Sequence, residues 1–125
     1  GPLAGLAAAL ASIETPWLFA VACDMPFVAP ALLEYLAGRR AGYQAVVPVV
    51  QGCPQPLAAF YAGSCLESVR EILAGDGKHS LRALLERLDV CYVDEAQLLE
   101  HDPQLRSFFD LDTPEDVAAL SNGVA

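Results

Sequence analysis

Hydrophobic positions change period several times along the chain. Leu3, Leu6, Leu10 and Ile13 fall on one helical face, and Pro2 stands where a first turn tolerates proline, so the N-terminus reads as a helix. An unbroken apolar run follows from Trp17 to Cys23, the length of a strand buried on both faces. It ends on Asp24 and is stopped by Pro26. Pro30 opens a short helix carrying Leu32, Leu33 and Leu36, which Gly38 closes. Residues 44–50, QAVVPVV, are β-branched but contain Pro48, which predicts an edge or interrupted strand.

Leu57 to Tyr61 predicts another strand. Ser64 and Glu67 have the spacing of a capping box for a helix with Leu66, Val69 and Leu73 on its inner face, ended by Gly75-Asp76-Gly77. Ser80 caps a further helix, Leu81 to Leu88, and Val90 to Val93 forms a short strand. In DLDTPEDVAAL, Thr113 caps a last helix, with Pro114 in its first turn and Asp116 as the reciprocal acid. Strands alternating with helices predict an α/β layer fold on a mainly parallel sheet. With 125 residues and no linker or repeat, the chain is expected to form a single domain, 1–125.

Composition narrows the function classes. Seven basic against sixteen acidic residues give a net charge of −9, without a basic stripe, which argues against a nucleic-acid binder. No apolar stretch reaches the roughly 18–20 residues that span a bilayer, so no membrane partner is expected. The N-terminal LAGLAAALA lacks a basic flank and follows Gly-Pro, unlike a signal peptide. Four scattered cysteines, without a C-x-x-C and with His79 and His101 far apart, predict reduced thiols in a cytoplasmic protein rather than a zinc site.

Candidate chemistry centres on carboxylates. In open parallel sheets ligands bind beyond the carboxyl ends of the strands, and Asp24 is the first acid after the most hydrophobic strand. That place suits a Mg2+ ligand, because Mg2+ takes a few carboxylates together with substrate phosphate oxygens; a plain strand-end cap fits it equally. Asp110 and Asp112, alternate residues of an extended segment, present two same-side acids, or Asp112 merely extends the helix cap. Gly5 interrupts a good helical pattern at a cost of about 1 kcal/mol. Close approach of a ligand to the backbone explains it, and so does tight helix–sheet packing. Lys78, His79 and Arg82 form the best anion-binding candidate, against the simpler reading of a solvated turn.

Taken in order, GPLAGL, ACDMPF, QPLAAFY and FDLDTPEDVAAL closely resemble the molybdenum cofactor guanylyltransferases, the MobA-type branch of the nucleotidyltransferases, from Gly1 to Leu120. The resemblance implies a Rossmann-like α/β sheet with flanking helices. It also implies an enzyme that joins GMP from GTP to molybdenum-bearing molybdopterin, releasing pyrophosphate and requiring Mg2+. Asp24 then matches the family's metal- and GTP-contacting aspartate, the catalytic position. Gly1, Pro2, Leu3 and Gly5 match the segment lining the nucleotide pocket. Asp112, and with it Asp110, matches a second metal-contacting pair that is commonly Asn-x-Asn or Asn-x-Asp, and Gln55 stands where many members carry histidine.

The family's L-x-G-G-x-S-x-R-M-G-x-D-K type loop, which cradles the triphosphate and supplies a lysine, has no match here. The resemblance thus implies that the chain is the C-terminal part, roughly two-thirds, of such a domain, lacking its first βαβ portion. Such a chain is expected to be inactive alone, and to form a homo-oligomer through the sheet edge that the lost first strand leaves open. The alternatives are a cytidylyltransferase of the same pathway and a non-catalytic oligomerising or binding fragment.

Overall fold

A computed structural model describes residues 1–22, 28–105 and 107. Helix α1, Pro2–Ser12, buries Leu3, Leu6 and Leu10, the stripe its heptad-like spacing predicts. Strand β1 is Trp17–Val21, followed by helix α2, Pro30–Ala37, and strand β2, Ala45–Val50. Strands β3, Cys53–Pro54, and β4, Ala58–Ala62, precede helix α3, Cys65–Ala74. Helix α4, Leu81–Leu85, strand β5, Val90–Val93, and helix α5, Glu95–Leu99, complete the described elements.

The sheet is mixed, not mainly parallel. β1 pairs with β4 and β4 with β2, both antiparallel, while β2 pairs with β5 in parallel. β1, β2 and β5 therefore run in one direction, with β4 reversed between them. The reason lies between β2 and β4. Gln51 and Gly52 take positive φ values of 53° and 75°, making a two-residue hairpin turn that pairs Val50 with Cys53. So short a return permits only an antiparallel partner.

Pro48 sits in the most central strand rather than on an edge. β2 is held by β5 along Ala45–Pro48, and by β4 at Ala45–Val46 and β3 at Val49–Val50. Pro48 falls in the gap between the last two pairings, where its carbonyl still accepts from the Gln55 amide at 2.8 Å. The interruption, not the edge, is what accommodates the missing N–H.

Alternation along β2 and β4 serves two cores. Ala45, Val47, Ala59 and Tyr61 face α1, α3 and α4, while Val46 and Phe60 join Leu32, Leu36, Val93 and Leu98 on the other face. β1, read from sequence as buried on both faces, is instead half-buried, with Val21 44% exposed, and among the described residues it lies at the sheet edge. Among the described residues its one strand neighbour is β4, which leaves it less covered than β2.

Smaller differences have local causes. Ser64 adopts a helical backbone, so its hydroxyl makes no cap and the capping box with Glu67 does not form. The buried face of α3 is Cys65, Val69 and Ile72, one position round from the predicted Leu66, Val69 and Leu73. α4 stops at Leu85 but keeps its Ser80 cap on the Ala83 amide at 3.1 Å. The α5 capping box, Asp94 with Gln97, went unread in the sequence although its D-x-x-Q spacing carried the signal.

Candidate functional site

The carboxyl ends of β1, β2 and β5 form one rim. β1 is carried on to Ala22, whose amide donates to the Leu57 carbonyl at 2.9 Å. Asp24 follows two residues later, outside the described residues, as do Asp110 and Asp112. Among the described residues no cluster of three or more His, Cys, Asp or Glu side chains is placed to hold a metal ion.

The described chain on either side of these acids is joined. Ala29, just before α2, donates its amide to Ser107 Oγ at 2.8 Å, across 78 residues of sequence. The Ser107 amide in turn donates to Asp102 Oδ2 at 2.9 Å. Asp102 and Ser107 are the buried polar side chains among the described residues, 5% and 1% exposed. Between them Leu105 takes a positive φ of 51°, which a branched side chain adopts only in a tightly held turn. This clasp ties Ser107, the last described residue, to the start of α2. Sequence reading missed both residues; a lone Asp and Ser in a polar stretch carry no periodic signal.

Beside β1 lies an apolar groove of about 490 Å³ lined by Pro2, Gly5, Leu6, Phe19, Val21 and Leu57 among others. It runs between the start of α1 and the free edge of β1. Pro2 and Gly5 thus border a cavity; Gly1 is exposed, whereas the Leu3 side chain is buried in the core at 2% exposure. A Cβ added at Gly5 would meet nothing within 4 Å. Tight helix–sheet packing therefore does not explain this glycine, and the open groove beside it leaves the close-approach explanation standing.

One wall of the rim is braced from below. The fully buried Tyr61 donates its hydroxyl to the Pro56 carbonyl at 2.6 Å, holding the Gln55–Leu57 turn against the sheet. Burial raises the Tyr61 pKa far above its ordinary value, so the phenol stays a donor. Gln55, at the family's histidine position, spends its side chain on the Cys53 carbonyl at 3.1 Å. The Lys78, His79 and Arg82 cluster is a solvated turn. His79 Nε2 lies 2.8 Å from the Gly75 carbonyl, and Lys78 and Arg82 share their recess with Glu71 and Glu86.

Comparison with known proteins agrees with this architecture. The sequence profile of the MobA-like NTP transferase domain matches residues 1–91. A probable molybdenum cofactor guanylyltransferase of Natronomonas pharaonis is 38% identical over 122 residues, covering 94% of this chain and 57% of the relative. One from Methanosarcina mazei is 34% identical, covering 94% and 53%. The crystal structure of molybdopterin-guanine dinucleotide biosynthesis protein A from Archaeoglobus fulgidus superposes with a TM-score of 0.79 at 36% identity, over 95% of this chain and 60% of that one. The chain spans little more than half the length of the curated relatives it matches.

Proposed function

This chain belongs to the MobA-like NTP transferase domain family, and on that premise we propose that it serves a guanylyltransferase of molybdenum cofactor synthesis. The reaction joins GMP from GTP to molybdenum-bearing molybdopterin and releases pyrophosphate. The relatives named as guanylyltransferases support GTP over the cytidylyl alternative. The observation that carries the reading is the rim. The apolar strand β1, carried on to Ala22, runs up to the residue before Cys23-Asp24 in sequence, and the Asp102–Ser107–Ala29 clasp ties the last described residue before Asp110 and Asp112 to the start of α2.

All three candidate ligands are carboxylates, a hard oxygen donor set that fits Mg2+ and not a soft metal. Asp24 and Asp112, with Asp110 in a lesser role, would hold the ion, which when bound offsets charge on the triphosphate. Gly5 keeps its part of the groove free of side-chain bulk, so the backbone there can approach a base or ribose, and Gly1 and Pro2 stand at the same end of α1. Leu3 contributes its main chain and anchors α1 in the core.

Self-association belongs to the same proposal. Among the described residues β1 ends the sheet, with one edge facing no other strand and an exposed Val21, a template for a second strand from another copy.

The test is GTP-dependent pyrophosphate release with Mg2+ and molybdopterin. It compares this chain alone with a protein in which a relative's phosphate-binding loop precedes Gly1. We expect activity from the second and none from the first, whose calorimetric binding should be weak, metal-dependent and unselective between GTP and CTP. Tight GTP-selective binding by the 125 residues alone would misplace the pocket.

A further inference from the structure

At the opposite rim, where β1 begins and α2 ends, a pinned arginine stands in an aromatic recess. The Arg40 guanidinium carbon lies 5.6 Å from the Trp17 ring centroid and 5.4 Å from that of Phe60, both within cation–π reach. Its Nε donates to the Ala37 carbonyl at 2.7 Å. Three contacts thus hold a side chain that is ordinarily mobile, and its two terminal nitrogens meet no acceptor among the described residues.

The recess beside it measures about 410 Å³, with Trp17 and Tyr43 as aromatic walls and a floor of small residues at Ala41 and Gly42. Gly42 has a φ of 84°, a left-handed turn that glycine adopts without strain. Tyr43 is 42% exposed. Arg39, the neighbouring residue, donates to the Tyr35 hydroxyl at 3.0 Å and does not line the recess. Among the described residues neither arginine has a carboxylate partner, the ion pair there being Arg87 with Glu71.

We propose that this recess binds a phosphate monoester, its dianion on the terminal nitrogens of Arg40 and its ring or chain against Trp17 and Tyr43. A fixed guanidinium presents parallel donors matched to phosphate oxygens, and its ordering cost is already met by the two rings. The position, at the amino ends of the parallel strands, separates this site from the rim that carries the transfer chemistry.

Trp17 is the one tryptophan of the chain, so its fluorescence and indole N–H resonance report this recess without interference. The chain is titrated at constant ionic strength, in EDTA, with inorganic phosphate, phenyl phosphate and acetate. We expect saturable shifts of the Trp17 indole and Arg40 Nε–H resonances, with phenyl phosphate binding more tightly than phosphate and acetate giving no saturation. Arg40→Gln is expected to weaken binding at least tenfold, and Arg40→Lys, which keeps charge but loses the fork, several-fold. If Arg40→Gln fails to fold by circular dichroism, the wild-type Arg40 resonance and the Arg40→Lys variant decide. Linear shifts equal for all three anions, or wild-type affinity in a folded Arg40 variant, overturn the proposal. EDTA removes divalent ions, so these outcomes are independent of the carboxylate rim.

Discussion

The amide of Ala29 and the hydroxyl of Ser107 meet at 2.8 Å, and through that bond the entry to α2 is tied to the far end of the described chain. Ser107 is 1% exposed, so its hydroxyl has no solvent to turn to, and its own amide is taken by Asp102. Two buried side-chain oxygens thus each accept from a backbone amide, the arrangement in which losing a member leaves a donor orphaned.

Replacing Ser107 with Ala removes the acceptor for Ala29. Since Ala29 is half-buried and water can reach it in part, the expected loss is about 1 kcal/mol in urea denaturation, the low end for an orphaned donor. Hydrogen exchange is the sharper measurement, because the Ala29 amide should lose protection while amides in β2 keep theirs. Asp102→Ala should cost more than Asp102→Asn, which retains an acceptor for the Ser107 amide. Unchanged Ala29 exchange in Ser107→Ala would show that the bond is not formed in solution.

Gly52 tests the hairpin that reverses β4. At φ 75° an alanine is strained, and a Cβ there meets no neighbour, so the penalty is backbone alone. Gly52→Ala should destabilise by about 1 kcal/mol, whereas Gly5→Ala, in a helix with open space around it, should stabilise by a similar amount. If Gly5 is also where a nucleotide approaches, the same Gly5→Ala change should weaken GTP binding in the loop-bearing protein.

The edge of β1 predicts association that charge can suppress. Val21→Lys puts an ammonium group on the exposed end of the edge strand, where burial is too slight for the change to disturb the core. Light scattering should show self-association of the wild-type chain falling sharply in this variant, with Tm nearly unchanged. A wild-type chain that stays monomeric at high concentration removes the oligomer from the proposed function.

Asp24→Asn, in a protein with the phosphate-binding loop restored, should lower turnover at least a hundredfold with little change in Tm, because it removes one charge without altering shape. Mn2+ affinity measured by electron paramagnetic resonance should fall in parallel. Asp112→Asn should do less, as expected where the resemblance allows asparagine. Wild-type turnover in the Asp24 variant would return that residue to a strand-end cap.

Alkaline stability should follow Cys65. Burial pushes its thiol from 9.0 up to about 11, while a bond with the Ala62 backbone pulls slightly the other way. The folded state therefore holds this proton where the unfolded chain has released it. The resulting stability is complete below pH 9.0 and is lost as pH rises through about 11. Thermal denaturation across that range should show a steeper fall for wild type than for Cys65→Ala, whose Tm starts lower because of the cavity.

The sequence by itself determined the helices whose apolar stripes repeat every third or fourth residue, and the strands whose residues are apolar or β-branched. It also placed a carboxylate after the most hydrophobic strand, because period and composition are local properties. α1 with Leu3, Leu6 and Leu10 is such an element, and so is the Ser80 cap of α4. What neighbours what is not local. Pro48 reads as marking either an edge or an interruption until β3 and β4 are seen to leave it a gap, and β1 reads as buried on both faces until, among the described residues, it has only β4 beside it. Asp102 and Ser107 have no pattern to betray them, since a buried polar pair is defined by the partner that satisfies it, and that partner, Ala29, lies 78 residues from Ser107. The pinning of Arg40 between Trp17 and Phe60 is likewise a tertiary decision, made by packing that brings three distant stretches of chain to one corner of the sheet.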